Sequence, residues 1–191
     1  RRIKIVFFGT PEFSVSILEA LARESYKVVA VVTKPDEPVG RNQVITSPPV
    51  KSFIMEHKTW NIPILQPEKL KDESFIIQVK NLAPDLIVVA AYGKIIPKVI
   101  LDIPKYGTIN AHGSLLPAWR GASPIQYAIL NGDKKTGITI MLMDEEMDHG
   151  ATISKSQIPI SKNDTYESLS EKLSILGAKT LIESIQGYIS G

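Results

Sequence analysis

Two short, almost unbroken apolar runs, Ile3-Lys4-Ile5-Val6-Phe7-Phe8 and Val28-Val29-Ala30-Val31-Val32, flank a segment of a different period. A strand with one wet face alternates polar and apolar residues, whereas a continuous run belongs to a strand covered on both faces of a parallel sheet. Between the runs, Gly9-Thr10-Pro11 turns the chain, with Thr10 placed as an N-cap and Pro11 at the first helical position. Phe13, Ile17, Leu18 and Leu21 then recur at helical spacing and form one apolar stripe. Strand, helix and strand in this order make a βαβ unit, whose crossover carries the helix over the face of a sheet.

The pattern continues along the chain. Thr33 to Thr46 has no period, two prolines and a glycine, and reads as one long loop, a length that points to a functional or mobile segment. Ser47-Pro48 opens a helix to about His57, followed by a short strand at Ile64-Leu65 and a helix from Glu73 to Leu82. Leu86-Ile87-Val88-Val89-Ala90 is the clearest buried strand, and Gly107-Thr108-Ile109-Asn110-Ala111-His112 is a strand that ends in polar residues. Ser123-Pro124 opens a helix that Asn131-Gly132 stops. Gly137 to Met143 and Ala151 to Ile160 read as paired strands. Asp164 and Glu167 form a capping box for a last helix that buries Leu169, Leu173, Leu176, Leu181 and Ile185. The expected architecture is an α/β, Rossmann-like, doubly wound and mostly parallel sheet with helices on both faces. Ligands of such sheets bind beyond the carboxyl ends of the strands.

Composition narrows the class. With 43% hydrophobic and 22% charged residues the chain is ordinary globular material. No apolar run approaches the ~20 residues that cross a bilayer, and no signal-peptide core follows Arg1-Arg2. The absence of cysteine rules out disulfides and thiolate metal sites and fits a cytoplasmic protein. A net charge of +2, spread along the chain, is less than a dedicated nucleic-acid binder usually shows.

Asn110 and His112 lie at the carboxyl end of a strand, where a ligand is expected, and two-residue spacing sends both side chains to one face. A capping asparagine with a satisfied surface histidine fits the same pattern. Met143-Asp144-Glu145-Glu146-Met147-Asp148-His149-Gly150 is an acidic loop between two strands. Solvated turn residues and a metal site are both readings of it, but no second cluster of His or Asp supplies further ligands. No metal is expected.

These residues also carry a resemblance. Asn110-x-His112, the run SLLPAWRGASPIQYAI from Ser114 to Ile129, and Asp148 in its MDxxMDxG loop resemble the formyltransferase family that uses 10-formyltetrahydrofolate. FFGTPEFS (Phe7 to Ser14), TKPDEPVGR (Thr33 to Arg41) and AAYGKIIP (Ala90 to Pro97) resemble the branch whose acceptor is methionyl-tRNA. The resemblance implies a formyltransferase catalytic domain over residues 1–191, without the C-terminal β-barrel that the branch also carries. It implies that Asn110 donates to the oxyanion, that His112 handles the proton near neutral pH, and that Asp148 orients His112, stabilises its charge or relays a proton. It places the folate donor against the backbone around Ala90, Ala91, Tyr92 and Gly93 and beside the turn of Ser114, Leu115, Leu116 and Pro117. Phe13 would line a pocket for the methionyl side chain, and Arg41 would reach the acceptor end of the tRNA. For Leu115, Leu116 and Phe13 plain core packing is an equal reading, and Arg120 is either an ion-pair partner or a substrate anchor. Asn42-Gln43, Glu146 and His149 depart from the branch, which commonly has lysines after the loop arginine and small residues at the other two places. The implied partners are initiator tRNA and the folate, with no membrane, and a monomer is expected. An amino sugar or purine precursor is the alternative acceptor. A non-catalytic nucleotide-binding module lacks support, because no GxGxxG follows the first strand.

Overall fold

A computed structural model describes residues 2–191. Seven strands form one sheet in the order β5-β2-β1-β6-β7-β8-β9. They are β1 (Lys4–Gly9), β2 (Lys27–Val32), β5 (Ile64–Leu65), β6 (Leu86–Ala90), β7 (Thr108–His112), β8 (Lys135–Leu142) and β9 (Thr152–Pro159). The pairs from β5 to β7 are parallel, and β8 and β9 are antiparallel. The doubly wound expectation holds in the side chains of β1, where pleating sends Ile5 and Phe7 to one core and Val6 and Phe8 to the other.

The first core packs α1 (Glu12–Arg23), α2 (Pro49–Glu56) and α6 (Tyr166–Ser190) on one face, with Ile125 of α5 (Pro124–Leu130) joining them. The second packs α3 (Glu73–Leu82) and the short α4 (Lys98–Leu101) on the other face. Each fully buried leucine, isoleucine or phenylalanine of these cores contributes about 1.5–3 kcal/mol of transfer free energy.

The two faces differ over the antiparallel strands. Ile109, Ala111, Ile138 and Ile140 face the first core, under α6. Their neighbours Thr108, Asn110, His112 and Thr139 point the other way, and no residue of β7, β8 or β9 joins the second core. A largely polar patch of sheet, with the buried Met141 opposite Asn110, thus lies beside an apolar one.

Three local expectations are corrected. Pro11, not Thr10, is the N-cap of α1, and the Thr10 hydroxyl instead donates to the Tyr92 carbonyl at 2.9 Å, tying the first turn to the end of β6. Residues 33–46 are not one structureless loop. They contain an exposed antiparallel hairpin, β3 (Glu37–Val39) with β4 (Val44–Thr46), which lacked a readable period because neither of its faces is buried. The capping box of α6 is made by Thr165 and Ser168, one residue beyond the pair read from sequence. Asp164 accepts from Ser161 N–H, Ser168 Oγ and Lys172 Nζ, and these donors, Lys172 foremost, hold its carboxyl down at about 2.

Candidate active site

The carboxyl ends of β1, β6 and β7 are level. Gly9 pairs with Ala90, and Val89 pairs with Asn110. The chain leaving β6 therefore passes beside Asn110. Ala91 and Gly93 take φ of 50° and 85°, which bends this segment sharply across the strand ends. Ser14 Oγ donates to the Ala90 carbonyl at 2.5 Å and Thr10 to that of Tyr92, so the helix α1 turn and this bend brace one another.

The Tyr92 side chain turns away from the strand ends into the protein. The ring is 2% exposed in the second core and meets Phe8 edge-on at 5.2 Å. Its hydroxyl has no hydrogen-bond partner among the described residues, and burial pushes it up to about 12. Ala91 and Gly93 are exposed, so the segment offers its backbone and the small Ala91 side chain to the strand ends.

His112 is 6% exposed. Its Nε2 lies 2.9 Å from the Trp119 carbonyl, which can only accept, so Nε2 carries the proton. Nδ1 faces Asp148 Oδ1 at 3.6 Å, too long for a direct hydrogen bond. The other carboxylate oxygen, Oδ2, accepts the Gly121 N–H at 2.7 Å. Asp148 has φ of 51° and Trp119 55°, two strained non-glycine residues around one imidazole, and Gly121 at 99° takes a conformation that suits glycine. Asn110 is half-buried on the same face, and its amide has no hydrogen-bond partner among the described residues. The structure thus sets His112 beside Asp148 on the face that also carries Asn110, and a loop not singled out for this purpose supplies the contacts that hold the imidazole and the carboxylate.

That loop, residues 113–123, is firmly seated. Ser114 Oγ donates to the Ala118 carbonyl at 2.6 Å, and Ser114 is fully buried. Leu116 is 6% exposed and Leu115 half-buried, so the SLL segment packs as core while Pro117 is exposed. The Trp119 indole donates to Asp133 Oδ2 at 2.7 Å and stacks on Tyr127. Arg120 is exposed and forms no ion pair among the described residues.

The acidic loop spreads its carboxylates rather than converging them. Asp144 pairs with His149 at 2.8 Å, which lowers the Asp144 carboxyl and raises the imidazole, while Asp148 turns to His112 and Gly121. Among the described residues no three His, Asp or Glu side chains are grouped to hold a metal ion, and no helix is long and apolar enough to cross a membrane.

Phe13 is 8% exposed in the first core. Arg41 sits in the exposed turn of the β3–β4 hairpin, with no hydrogen bond or ion pair among the described residues.

His112 and Asn110 at the end of β7, with the Asp148 carboxylate reaching His112 from between β8 and β9, complete a seven-stranded sheet whose class the comparisons with known proteins define. Residues 2–185 match the formyl transferase family, and the chain belongs to it. It is 53% identical over 98% of its length to methionyl-tRNA formyltransferase of Bacillus velezensis, covering 58% of that protein. The same figures hold for methionyl-tRNA formyltransferase of Bacillus subtilis. The chain thus spans less than two thirds of these relatives. Among solved structures it resembles phosphoribosylglycinamide formyltransferase from Brucella melitensis, at 21% identity and a TM-score of 0.77, over 100% of this chain and 97% of that one. A formyltetrahydrofolate deformylase from Pseudomonas syringae superposes at 23% identity and a TM-score of 0.74, over 97% of this chain and 60% of that one. These two likenesses establish the fold.

Proposed function

We propose that this chain is the catalytic domain of an enzyme that moves the formyl group of 10-formyltetrahydrofolate to the α-amine of methionyl-tRNA. The observation that carries the chemistry is the imidazole of His112, fixed in one tautomer and facing Asp148, on the sheet face that also presents the unpaired amide of Asn110. Relatives bearing the tRNA enzyme's name, alike over 98% of the chain, support the acceptor.

The reaction asks for three things. The amine nitrogen bonds to the formyl carbon, whose oxygen becomes negative, and Asn110 donates to that oxygen. The amine loses a proton, and the folate N10 gains one as its bond to the formyl carbon breaks. His112 is suited to this traffic at Nδ1, the nitrogen that the Trp119 carbonyl leaves free. Once Nδ1 is protonated, the ring is cationic beside the Asp148 carboxylate at 3.6 Å. Orientation of the ring therefore falls to Trp119, and stabilisation of its charge to Asp148. The bend at residues 90–93 offers backbone groups to a pterin, and residues 114–117 form the opposite wall. Phe13 and Arg41 are assigned to the methionyl group and the tRNA.

The test offers 10-formyltetrahydrofolate with methionyl-tRNA, an amino sugar nucleotide and glycinamide ribonucleotide in parallel. Formyl-methionyl-tRNA is the expected product. Formylation of a small amine alone overturns the acceptor, and transfer to none of the three overturns the reaction.

A further inference from the structure

We propose that Thr139 of β8 and Lys155 of β9 are positioning residues for the reacting centre, acting on the loop that orients His112. The inference rests on the formyl-transfer reading above. His112, Thr139 and Lys155 stand opposite one another in register across β7, β8 and β9. Residues paired this way project from the same face, so the three side chains rise together on the polar face that holds Asn110.

Thr139 is fully buried. Its hydroxyl donates to the Ser114 carbonyl at 2.7 Å and accepts the Leu116 N–H at 3.0 Å. One hydroxyl hydrogen and one lone pair are thereby used, and the side chain bridges both ends of the turn that follows His112. Lys155 Nζ donates to the carbonyl of the same Leu116. Two strands thus grip one tripeptide from below.

That grip matters because of what comes next in the chain. Residues 113–123 contain no helix or strand. Three and five residues beyond Leu116 lie the Trp119 carbonyl that fixes His112 and the Gly121 N–H that holds Asp148. Neither Thr139 nor Lys155 touches the imidazole or the carboxylate, so both act through the loop. Neither belongs to the motif that marks the centre in the sequence, and their strand register alone discloses them.

Thr139→Val keeps the side chain's shape and leaves a buried carbonyl and a buried N–H without partners. Misplacing a reacting group by a fraction of its bond length to the target is costly, so kcat is expected to fall about 10- to 100-fold while KM for donor and acceptor changes little. Thr139→Ser restores the hydroxyl and with it most of kcat. Lys155→Met gives a smaller loss of the same kind, and it serves as the test if Thr139→Val does not fold. A second readout is independent of turnover: nitrogen NMR of the His112 ring, which shows one tautomer in the unaltered chain and in Thr139→Ser, and a mixture in Thr139→Val. Thr139→Val turning over like the unaltered chain overturns the proposal. So does a Thr139→Ser variant as impaired as Thr139→Val, or an unchanged ring spectrum. If the unaltered chain transfers no formyl group, the reaction reading fails, and the ring spectrum still decides the positioning.

Discussion

Residues 113–123 follow β7 and residues 33–48 follow β2, so both leave the carboxyl end of a parallel strand, yet they are held in different ways. The first is tied to β8 through Thr139, to β9 through Lys155, to Asp133 through the Trp119 indole and to Asp148 through Gly121. The second is anchored at its base, where Asp36 takes Ser47, Lys51 and Gln66, and beyond that the β3–β4 hairpin bonds only to itself. Val39, Val44 and Ile45 are 55%, 60% and 65% exposed there. A loop that must hold an imidazole within a fraction of an ångström pays ordering entropy during folding, before substrate arrives. On the tRNA reading proposed above, the untethered hairpin would leave that cost until binding. Precision and reach are thus separated along the chain.

Predictions follow that separation from its largest consequence downward. Asn110→Ala and Asp148→Ala are each expected to lower kcat about 100- to 1000-fold, the usual loss for one oxyanion donor or its equivalent. Single-turnover transfer measures this, and unchanged far-ultraviolet circular dichroism shows the fold intact. Gly121→Ala comes next. At φ of 99° an alanine is strained, so the loop shifts its N–H away from Asp148, at a cost of about 1–3 kcal/mol in thermal unfolding and a matching fall in kcat. Gly40→Ala in the hairpin, at φ of 73° with open space around it, costs about 1–2 kcal/mol of backbone strain and leaves kcat untouched. Equal kinetic effects of the two alanines would erase the contrast between the loops.

Arg41→Ala is expected to raise KM for methionyl-tRNA alone, leaving KM for the folate unchanged and stability within about 0.5 kcal/mol. Tyr92→Phe removes a buried hydroxyl without a partner, so stability is expected to hold or rise by up to about 1 kcal/mol, with transfer intact. A loss of folate affinity in that variant would show the ring, not the backbone, facing the donor. The smallest effect concerns Asp164, whose carboxyl is held at about 2 against an ordinary 3.8. A depressed carboxyl adds stability that is complete above its unfolded value and disappears as pH falls through the folded one. Thermal unfolding between pH 4 and pH 2 is therefore expected to drop less steeply in Asp164→Asn than in the unaltered chain.

The parallel strands were legible because burial on both faces demands runs such as Val28 to Val32 and Leu86 to Ala90, which little else in a globular chain produces. The hairpin was not, since Glu37–Val39 and Val44–Thr46 bury neither face and leave no period. Asn110, His112 and Asp148 are proposed on the strength of their motif, as position alone did not separate them from a capped strand end. What orients them escaped detection for a different reason. Trp119 acts through its carbonyl and Gly121 through its N–H, groups that every residue owns, and Thr139 acts from a strand distant in sequence. Helix ends were misjudged by one residue because Thr10 and Asp164, both good caps by type, are committed elsewhere, to Tyr92 and to Lys172.

The sheet's two borders carry a further consequence. An open sheet with long, flat edges invites another chain to add a strand and begin an aggregate. Here β5 is two residues long, with Pro63 before it and Pro67 soon after, so an incoming strand has almost no ladder to join. At the opposite border β9 ends on Pro159, which has no N–H to offer, and Lys155 plants a charge at its middle. The lysine that braces the loop also guards the rim, so replacing it with an apolar residue is expected to lower solubility as well as turnover.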